Sequence, residues 1–511
     1  MSIILTGSDL TIEDVVKVAR HHERVKIAAS AEEKLQKARD FVDRLVDEGQ
    51  VVYGVTTGFG QFKNVVISKD QTTILQTNLI RSHATGVGEP LSQEDVRASI
   101  LVRINSLLQG HSGVRPIVIE RLVDLLNDDI YPFVPCKGSV GSSGDLAPLS
   151  HIMLVIMGEG EVIIDGKRKP SIEALNANEI EPIQLISKEG LALNNGTSVM
   201  TGIGALGVYD AKRLAKHFDI ALGMSLEVMM GTLSAYDPRV HALRPHPGQI
   251  KVAENVRKLC ADSEIMASHK DCGRVQDAYS LRCAPQVHGA SRNAIAHIEE
   301  VVTRELNSVT DNPLLFPDDN EAISAGHFHG EPIAQVMDYL KIAVAELANI
   351  SERRIAKMVD PSTSEGLPAF LIPEAQAGLS SGFMIPQYVA AALVSENKVL
   401  AHPACVDSIP TSANQEDHVS MGTIAARQAR EMIQNAESVA AIEMIMGTQG
   451  VDLRSPLVAG RGTRVVHEII RRAVPELLED RIMYKDIETV QAMIKDERIL
   501  RRVEDAIGEQ Q

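Results

Sequence analysis

The chain has 511 residues, and its 68 Asp and Glu outnumber its 51 Lys and Arg, which gives a formal net charge of −17. This charge argues against a nucleic-acid partner and against an anionic membrane surface, because both attract basic patches. Aromatic residues make up only 3% of the chain and Trp is absent, so the core is expected to be aliphatic.

The predicted elements of the first 200 residues are mainly helices. The first 60 residues are predicted to form short helices, with a capping box at Thr11-Ile12-Glu13-Asp14. Residues 53–60 are rich in Gly and Thr and are predicted to form a loop. Further along, helices are predicted over 70–85, 93–128 and 146–157, and a hairpin over 161–169 with its turn at Asp165-Gly166.

Beyond residue 200 the pattern becomes strongly helical. Apolar residues recur every three or four positions, over the ranges 288–308, 334–358, 385–401 and 421–446. Many of them are alanines, which allow close approach, so we predict long helices in the middle of a bundle. We expect an N-terminal part, residues 1–200, and a long-helix core with C-terminal helices, residues 201–511, without an independent linker.

Targeting signals and cysteine pairs are not evident. The chain turns polar directly after Met1-Ser2-Ile3-Ile4-Leu5, so no signal peptide is expected, and no apolar run of about 18 residues predicts a membrane helix. The five cysteines form no C-x-x-C pair, so we expect reduced thiols and a cytoplasmic location. No H-E-x-x-H pattern is present, and no metal is expected.

Gly141-Ser142-Ser143-Gly144-Asp145 is the segment with the most chemical information. The amide nitrogen of Gly144 can attack the carbonyl carbon of Ser142, and loss of water closes a five-membered ring. Ser143 can then lose a second water and become an exocyclic methylene. Gly144 has to be unhindered and free to adopt unusual backbone angles. The product is an electrophile built from the backbone.

Several motifs in one order support this interpretation and identify a family. They are Tyr53-Gly54-Val55-Thr56-Thr57-Gly58-Phe59-Gly60, Ser82-His83, Gly138 to Leu149, Leu193-Asn194-Asn195-Gly196-Thr197, Gln276 to Cys283, Thr310-Asp311-Asn312-Pro313-Leu314, Phe328-His329-Gly330 and Asn414-Gln415-Glu416-Asp417-His418. Nearly the whole chain resembles the aromatic amino-acid ammonia-lyases and aminomutases. These enzymes use a 4-methylideneimidazol-5-one (MIO) group formed autocatalytically, here from Ser142-Ser143-Gly144, with no external cofactor.

The resemblance implies a mainly α fold of the aspartase/fumarase type, with a long-helix bundle core and a smaller N-terminal part that carries the MIO loop. It also implies a homotetramer whose active sites combine residues of several subunits. The task of such an enzyme is to remove a β-proton from a small amino acid and to expel ammonia. No nucleic acid or membrane partner is implied.

The resemblance also assigns roles to individual residues. Asn195 lies beside the prosthetic group, where its amide donates without a change of charge. Tyr53 lies on an inner lid loop and is the expected base, with Tyr279 and Glu416 as alternative proton acceptors. Arg282 is expected to bind the substrate carboxylate as a bidentate cation. Gln276 supports the same end of the substrate, and Phe328 walls the pocket.

Ser82-His83 resembles the pair found in the histidine-specific members of the family. His83 and Glu416 can hydrogen-bond an imidazole ring, whereas beside a phenyl ring each unpaired group would cost about 1–3 kcal/mol. The expected reaction is therefore conversion of L-histidine into trans-urocanate and ammonia, the first step of histidine degradation. Alternatives are a tyrosine or phenylalanine ammonia-lyase, an aminomutase, or a non-catalytic amino-acid-binding homologue.

Two residues depart from the usual family pattern. Ser142 stands where alanine is common, but ring closure needs only its carbonyl, so the chemistry is expected to survive. His327 stands where asparagine often precedes the Phe-His pair, which changes the pocket rim. The fumarase/aspartase enzymes themselves are disfavoured, because Gly144-Asp145-Leu146 stands where they carry a Met-Pro and Lys-containing loop.

Overall fold

The computed structural model describes residues 2–58, 60 and 63–511. Phe59, which belongs to the predicted loop 53–60, lies outside the described residues. The described fold is mainly α with a few short strands, which confirms the predicted fold class. Within the described residues, none of the helices combines the length and the apolar character needed to cross a bilayer.

Helices account for most of the described chain. In the first part they are α1 (Ile12–His21), α2 (Ala29–Asp47), α3 (Lys69–His83), α4 (Gln93–Leu107), α5 (Pro116–Asn127), α6 (Leu146–Ile156), α7 (Ser171–Ala177), α8 (Glu189–Asn194) and α9 (Ser198–Val228). They continue as α10 (Pro238–Ala242), α11 (Pro247–Leu259), α12 (Glu264–Ala267), α13 (Tyr279–Arg282), α14 (Ala284–Leu306), α15 (Glu331–Val359), α16 (Met384–Leu400), α17 (Gly422–Leu453), α18 (Arg461–Arg471), α19 (Tyr484–Lys495) and α20 (Arg498–Ile507).

The strands are three or four residues long and form two-stranded sheets. They are β1 (Ile3–Leu5), β2 (Val25–Ile27), β3 (Val87–Pro90), β4 (Pro135–Lys137), β5 (Glu161–Ile164), β6 (Lys167–Pro170), β7 (Leu314–Phe316) and β8 (Glu321–Ile323). β1 and β2 pair in parallel, with Ile3 opposite Val25. The other pairs are antiparallel, and β5–β6 is the predicted hairpin, with Glu161 opposite Pro170.

Local sequence explains where several helices begin. Thr11 and Asp14 form the predicted capping box at the start of α1. Helix is absent between α4 and α5, where Gly110 and Gly113 adopt φ of +78° and +73°. Pro116 then occupies the first turn of α5, a position where its missing N–H costs nothing. The predicted helical stretch 93–128 is therefore two helices.

The chain forms two compact units. Unit 1 contains the residues up to Tyr209 together with Ile298–Asp338 and Pro403–Gln428, and unit 2 contains Asp210–His297, Tyr339–His402 and Ala429–Gln511. In unit 1, helices α3, α6 and α8 contact one another. A small apolar cluster around Phe41 and Leu315 buries Val55 completely, which anchors the base of the predicted loop 53–60.

In unit 2 the long helices are tied together by buried polar contacts. Glu443 of α17 accepts hydrogen bonds from Ser225 of α9 and from Ser351 of α15, both at 2.6 Å. It also pairs with Arg354 of α15, and neither side chain of this ion pair is exposed. A buried ion pair is stable only when its remaining hydrogen bonds are satisfied, and the two serines supply them to the carboxylate.

Candidate functional site

A cavity of about 1040 Å³ lies in unit 1. The sequence-predicted residues among those lining it come from six separate stretches of the chain, and they are Tyr53, His83, Ser142, Ser143, Asn195, Phe328 and Glu416. Helix packing brings several of these stretches together, because α3 ends at His83, α6 starts at Leu146 and α8 ends at Asn194. The three packed helices therefore direct their ends toward one place.

Gly144 is held against Gly196 in a way that no other residue allows. Its φ is +70°, and a Cβ at this position would lie 2.1 Å from the carbonyl oxygen of Gly196. That same oxygen accepts a hydrogen bond from the amide of Asp145 at 2.7 Å. The serine–glycine segment is thus fixed by backbone contacts, directly before the N-terminus of α6, where the helix dipole favours negative charge.

Two donors converge on the carbonyl oxygen of Ser143. The amide of Gly196 donates to it at 3.2 Å. In the orientation that satisfies both polar atoms of its side chain, Asn195 donates to the same oxygen at 3.1 Å and accepts from the amide of Asn312 at 3.1 Å. This oxygen is retained as the carbonyl oxygen attached to the ring when an MIO group forms. The unhindered glycine, the serine hydroxyl and the paired donors fit that group.

Asp145 fixes the serine–glycine segment to the start of α9. Its Oδ2 accepts from the amides of Val199 and Met200, both at 2.9 Å, at the start of α9, while the hydroxyl of Thr423 donates to Oδ1. The carboxyl is completely buried, and this burial raises its pKa to about 6. Asp145 lies inside the serine–glycine motif, but the sequence alone does not indicate a separate role for it.

Glu416 contacts the serine segment directly. The hydroxyl of Ser142 donates to Oε2 of Glu416, and the hydroxyl of Ser143 donates to Oε1 at 3.3 Å. The hydroxyl of Thr411 also donates to Oε2, at 3.1 Å. Between Thr411 and Glu416 the backbone is left-handed over Ser412–Asn414, with φ of 51°, 52° and 64°. Such strain in consecutive non-glycine residues is typical of functional loops.

His83 is held as a hydrogen-bond acceptor for the cavity. Its Nδ1 lies 2.8 Å from the carbonyl oxygen of Leu79, and since a carbonyl only accepts, Nδ1 carries the proton. Burial lowers the pKa of His83, against smaller opposing effects of the Leu79 carbonyl and Glu416. The ring is therefore neutral near pH 7, and Nε2 carries no proton, so it can accept a hydrogen bond from a ligand.

Tyr53 lies on the predicted loop and borders the same cavity. Its hydroxyl accepts a hydrogen bond from the amide of Gly60 at 3.3 Å. Burial is the main cause that raises the pKa of Tyr53, and the negative charge of Glu416 adds to it. A tyrosinate base would need a lowered pKa, so the environment of Tyr53 within this chain favours the neutral phenol.

Gln276, Tyr279 and Arg282 belong to unit 2, whereas the described residues that line the cavity all belong to unit 1. The guanidinium of Arg282 stacks on the Tyr279 ring, with Cζ 4.6 Å from the ring centroid. The Tyr279 side chain is 71% exposed. Arg282 and Tyr279 therefore contact each other on an exposed part of unit 2.

Several cavity residues were not foreseen. Lys63 donates to the side-chain oxygen of Gln415 at 2.6 Å, and the rings of His329 and His418 are stacked with centroids 5.6 Å apart. His329 and His418 lie in quoted motifs, but no spacing predicts the stack. His327 is exposed and is not among the described residues that line the cavity.

A buried cationic layer lies beside Asn195. Lys188 and Asp311 form an ion pair of 2.7 Å in which neither side chain is exposed. Arg103 is buried as well, and burial lowers its pKa to about 10. It donates to the carbonyl oxygens of Ala192 and Thr310. Among the described residues no group of His, Cys, Asp and Glu has the arrangement of a metal site.

Comparison with known proteins is consistent along the whole chain. A family model described as aromatic amino acid lyase matches residues 10–472. The histidine ammonia-lyase of Alkaliphilus oremlandii is 52% identical over 505 residues, which cover 99% of this chain and 99% of that protein. The histidine ammonia-lyase of Gloeobacter violaceus is 53% identical over 506 residues, covering 99% of this chain and 98% of that one.

Solved structures also match this chain over its full length. The crystal structure of histidine ammonia-lyase from Trypanosoma cruzi matches with a TM-score of 0.92 at 41% identity, covering 100% of this chain and 96% of that chain. A tyrosine aminomutase from Streptomyces globisporus matches with a TM-score of 0.94 at 38% identity, with both chains covered completely.

Proposed function

The chain belongs to the aromatic amino acid lyase family, and we propose that it catalyses the histidine ammonia-lyase reaction, in which L-histidine gives trans-urocanate and ammonia. One observation carries the choice of substrate. His83 and Glu416, two polar groups suited to an imidazole ring, line the same cavity as Ser142 and Ser143. Relatives about half identical over the full chain bear the name of this activity, which supports the proposal.

We propose that Ser142, Ser143 and Gly144 form the MIO group. When formed, this group supplies an electrophile that bonds the substrate and makes its nitrogen a better leaving group. Asn195 and the amide of Gly196 then stabilise negative charge on the oxygen of Ser143, because both already donate to that atom. Fixed donors of this kind cost no reorganisation during the reaction.

The imidazole end of the substrate is assigned to His83 and Glu416. Nε2 of His83 accepts a hydrogen bond from an N–H of the substrate imidazole, since the Nδ1–H of His83 donates to the Leu79 carbonyl. Phe328 provides an apolar wall of the cavity. A phenyl ring in the same place would leave Nε2 of His83 and Oε1 of Glu416 without a partner from the ligand, and this would cost about 1–3 kcal/mol for each.

Of the three candidate proton acceptors, Tyr53 and Glu416 line the cavity itself. The raised pKa of Tyr53 favours a neutral phenol, which can orient the substrate by donating a hydrogen bond. Glu416 contacts the hydroxyls of Ser142 and Ser143 directly, so the geometry supports Glu416 more strongly than Tyr53. Tyr279 stays the third candidate, because its role depends on a second subunit.

The carboxylate end of the substrate is assigned to Arg282, with Gln276 beside it. We propose that both arrive with Tyr279 from another subunit of a homotetramer, so that each active site is composite. The exposure of Tyr279 and its stacking with Arg282 support this proposal, because such a pair is available for docking. A cytoplasmic location is part of the proposal and is supported by the five free cysteine thiols.

Product formation tests the proposed function directly. The purified protein is offered L-histidine, L-tyrosine and L-phenylalanine in turn, and the absorbance of the unsaturated product is followed. We expect urocanate from histidine and little product from the other two. A preference for tyrosine or phenylalanine, or formation of a β-amino acid, would instead support the lyase or aminomutase alternatives on this scaffold.

Removal of metal ions is expected to leave the reaction intact. The electrophile is built from the chain, and the groups assigned to charge stabilisation are an amide side chain and a backbone N–H. After dialysis against a strong chelator, most of the histidine turnover should therefore remain. Complete loss of activity that one specific metal restores would show that an essential part of this mechanism is missing.

A further inference from the structure

The Glu416 carboxylate is oriented by two hydroxyls and aimed at a third. Its Oε2 accepts from Ser142 and from Thr411, so this oxygen is engaged on both sides. Its Oε1 accepts from the hydroxyl of Ser143 at 3.3 Å. The chain therefore places a carboxyl group next to the one hydroxyl that has to leave when the methylene forms.

Loss of that hydroxyl needs acid assistance. The elimination breaks the Cα–H and the Cβ–Oγ bonds of Ser143, and the electron pair of the Cα–H bond becomes the second bond between Cα and Cβ. Oγ departs with the electron pair of its own bond and needs a proton to leave as water. Hydroxide is a poor leaving group, and the Ser143 side chain is only partly exposed to water.

From this geometry we infer that Glu416 is also the general acid that forms the prosthetic group, an inference that rests on the proposed function. In its protonated form Glu416 donates from Oε1 to Oγ of Ser143, and the water leaves. The Cα proton passes to solvent, and the resulting carboxylate regains a proton from solvent. The step removes one water in total and leaves Glu416 unchanged.

Asp145 is the carboxyl within the segment itself, and its contacts make it unsuited to this step. The amides of Val199 and Met200 occupy its Oδ2. The hydroxyls of Ser139 and Thr423 donate to its Oδ1. Asp145 therefore holds the backbone in place, whereas Glu416 contacts the leaving hydroxyl.

Oε1 of Glu416 thereby has two successive roles, first in forming the prosthetic group and then in binding the substrate. While Ser143 keeps its hydroxyl, Oε1 of Glu416 is occupied by it. Departure of the hydroxyl as water removes that contact and frees Oε1 toward the cavity that both residues line. The same oxygen is then available to the substrate, so completion of the prosthetic group and opening of the binding position are a single event.

Mass spectrometry of the 142–144 peptide tests the inference without reference to turnover. In Glu416→Gln, ring closure is expected to proceed, whereas loss of the second water should slow by about 100- to 10,000-fold, the usual contribution of a general acid. A peptide lighter by one water should therefore accumulate, compared with two waters in the unaltered chain at the same times after synthesis.

Asp417→Asn is the matched control, because Asp417 lines the same cavity and follows Glu416 in the chain. Its peptide should lose both waters at the unaltered rate. Glu416→Asp, which keeps a carboxyl, should lose the second water faster than Glu416→Gln. Circular dichroism tests whether each variant is folded. If Glu416→Gln is not folded, Glu416→Asp tests the inference instead, and its loss of the second water should then be slower than in the unaltered chain.

Complete loss of two waters from Glu416→Gln at the unaltered rate would overturn the inference, as would equal slowing in Asp417→Asn. The result is separable from the proposed function. A twice-dehydrated Glu416→Gln without histidine turnover contradicts only the role in group formation. A twice-dehydrated unaltered protein that makes no urocanate contradicts only the proposed reaction.

Discussion

Ser143→Ala is expected to nearly abolish turnover of histidine, by a factor on the order of 10³ or more, the scale seen when a covalent catalytic group is removed. Alanine has no hydroxyl to lose, so the exocyclic methylene cannot form even if the ring closes. Turnover is measured from urocanate absorbance. Peptide mapping of the same sample should never find the 142–144 segment lighter by two waters.

Ser142→Ala is the matched control for this experiment. Ring closure uses only the carbonyl of residue 142, and the lost hydroxyl contact to Glu416 is partly replaced by the remaining one from Thr411. Alanine is also the residue that the family commonly carries at this position, so Ser142→Ala is expected to be tolerated, with a fully dehydrated segment and most of the activity. Full activity of Ser143→Ala with an unmodified segment would contradict the assignment of the electrophile.

His83→Leu is expected to lower kcat/KM for histidine by about 10- to 200-fold, which corresponds to about 1.4–3 kcal/mol of lost transition-state binding. The neutral His83 ring offers Nε2 as an acceptor, and leucine offers none, so Glu416 is left as the remaining polar partner of the imidazole. Efficiencies on histidine, tyrosine and phenylalanine are compared before and after the change.

The double variant Ser82→His/His83→Leu sharpens the comparison. It replaces the pair typical of histidine enzymes by the pair typical of tyrosine enzymes, so histidine should lose efficiency and tyrosine should gain relative to it. If His83→Leu leaves histidine turnover unchanged, the assignment of the substrate from this position is wrong. A larger loss in Glu416→Gln, seen in kcat, would indicate that Glu416 handles a proton as well.

The sequence predicted the long elements well, since their signals are periodic over many residues. The stretches 334–358 and 385–401 became α15 and α16, within a few residues of their predicted ends. The strands Ile3–Leu5 and Val25–Ile27 were missed, because three residues are too few to show an alternation. The break between α4 and α5 depends on two glycines with positive φ, which a helical pattern does not reveal.

At the site, the sequence could identify chemical types but not their arrangement. The hydroxyl of Ser143 and the carboxylate of Glu416 are 273 residues apart in the chain, and no local pattern brings them together. The direction of the Tyr53 pKa shift could not be foreseen either, because it results from burial and from the charge of Glu416. Local motifs supply the reactive residue types, whereas the packing of α3, α6 and α8 determines which of their atoms come into contact.

The close approach of Gly144 to Gly196 makes correct folding a precondition for reactivity. The serine segment is bent by contacts with residue 196 and with the loop of Glu416, and an unfolded chain has neither. A nascent or misfolded molecule therefore lacks the contacts that bend the segment for ring closure. If the proposed function holds, only a folded chain therefore acquires the electrophile, and it does so within the cavity that Ser142 and Ser143 line.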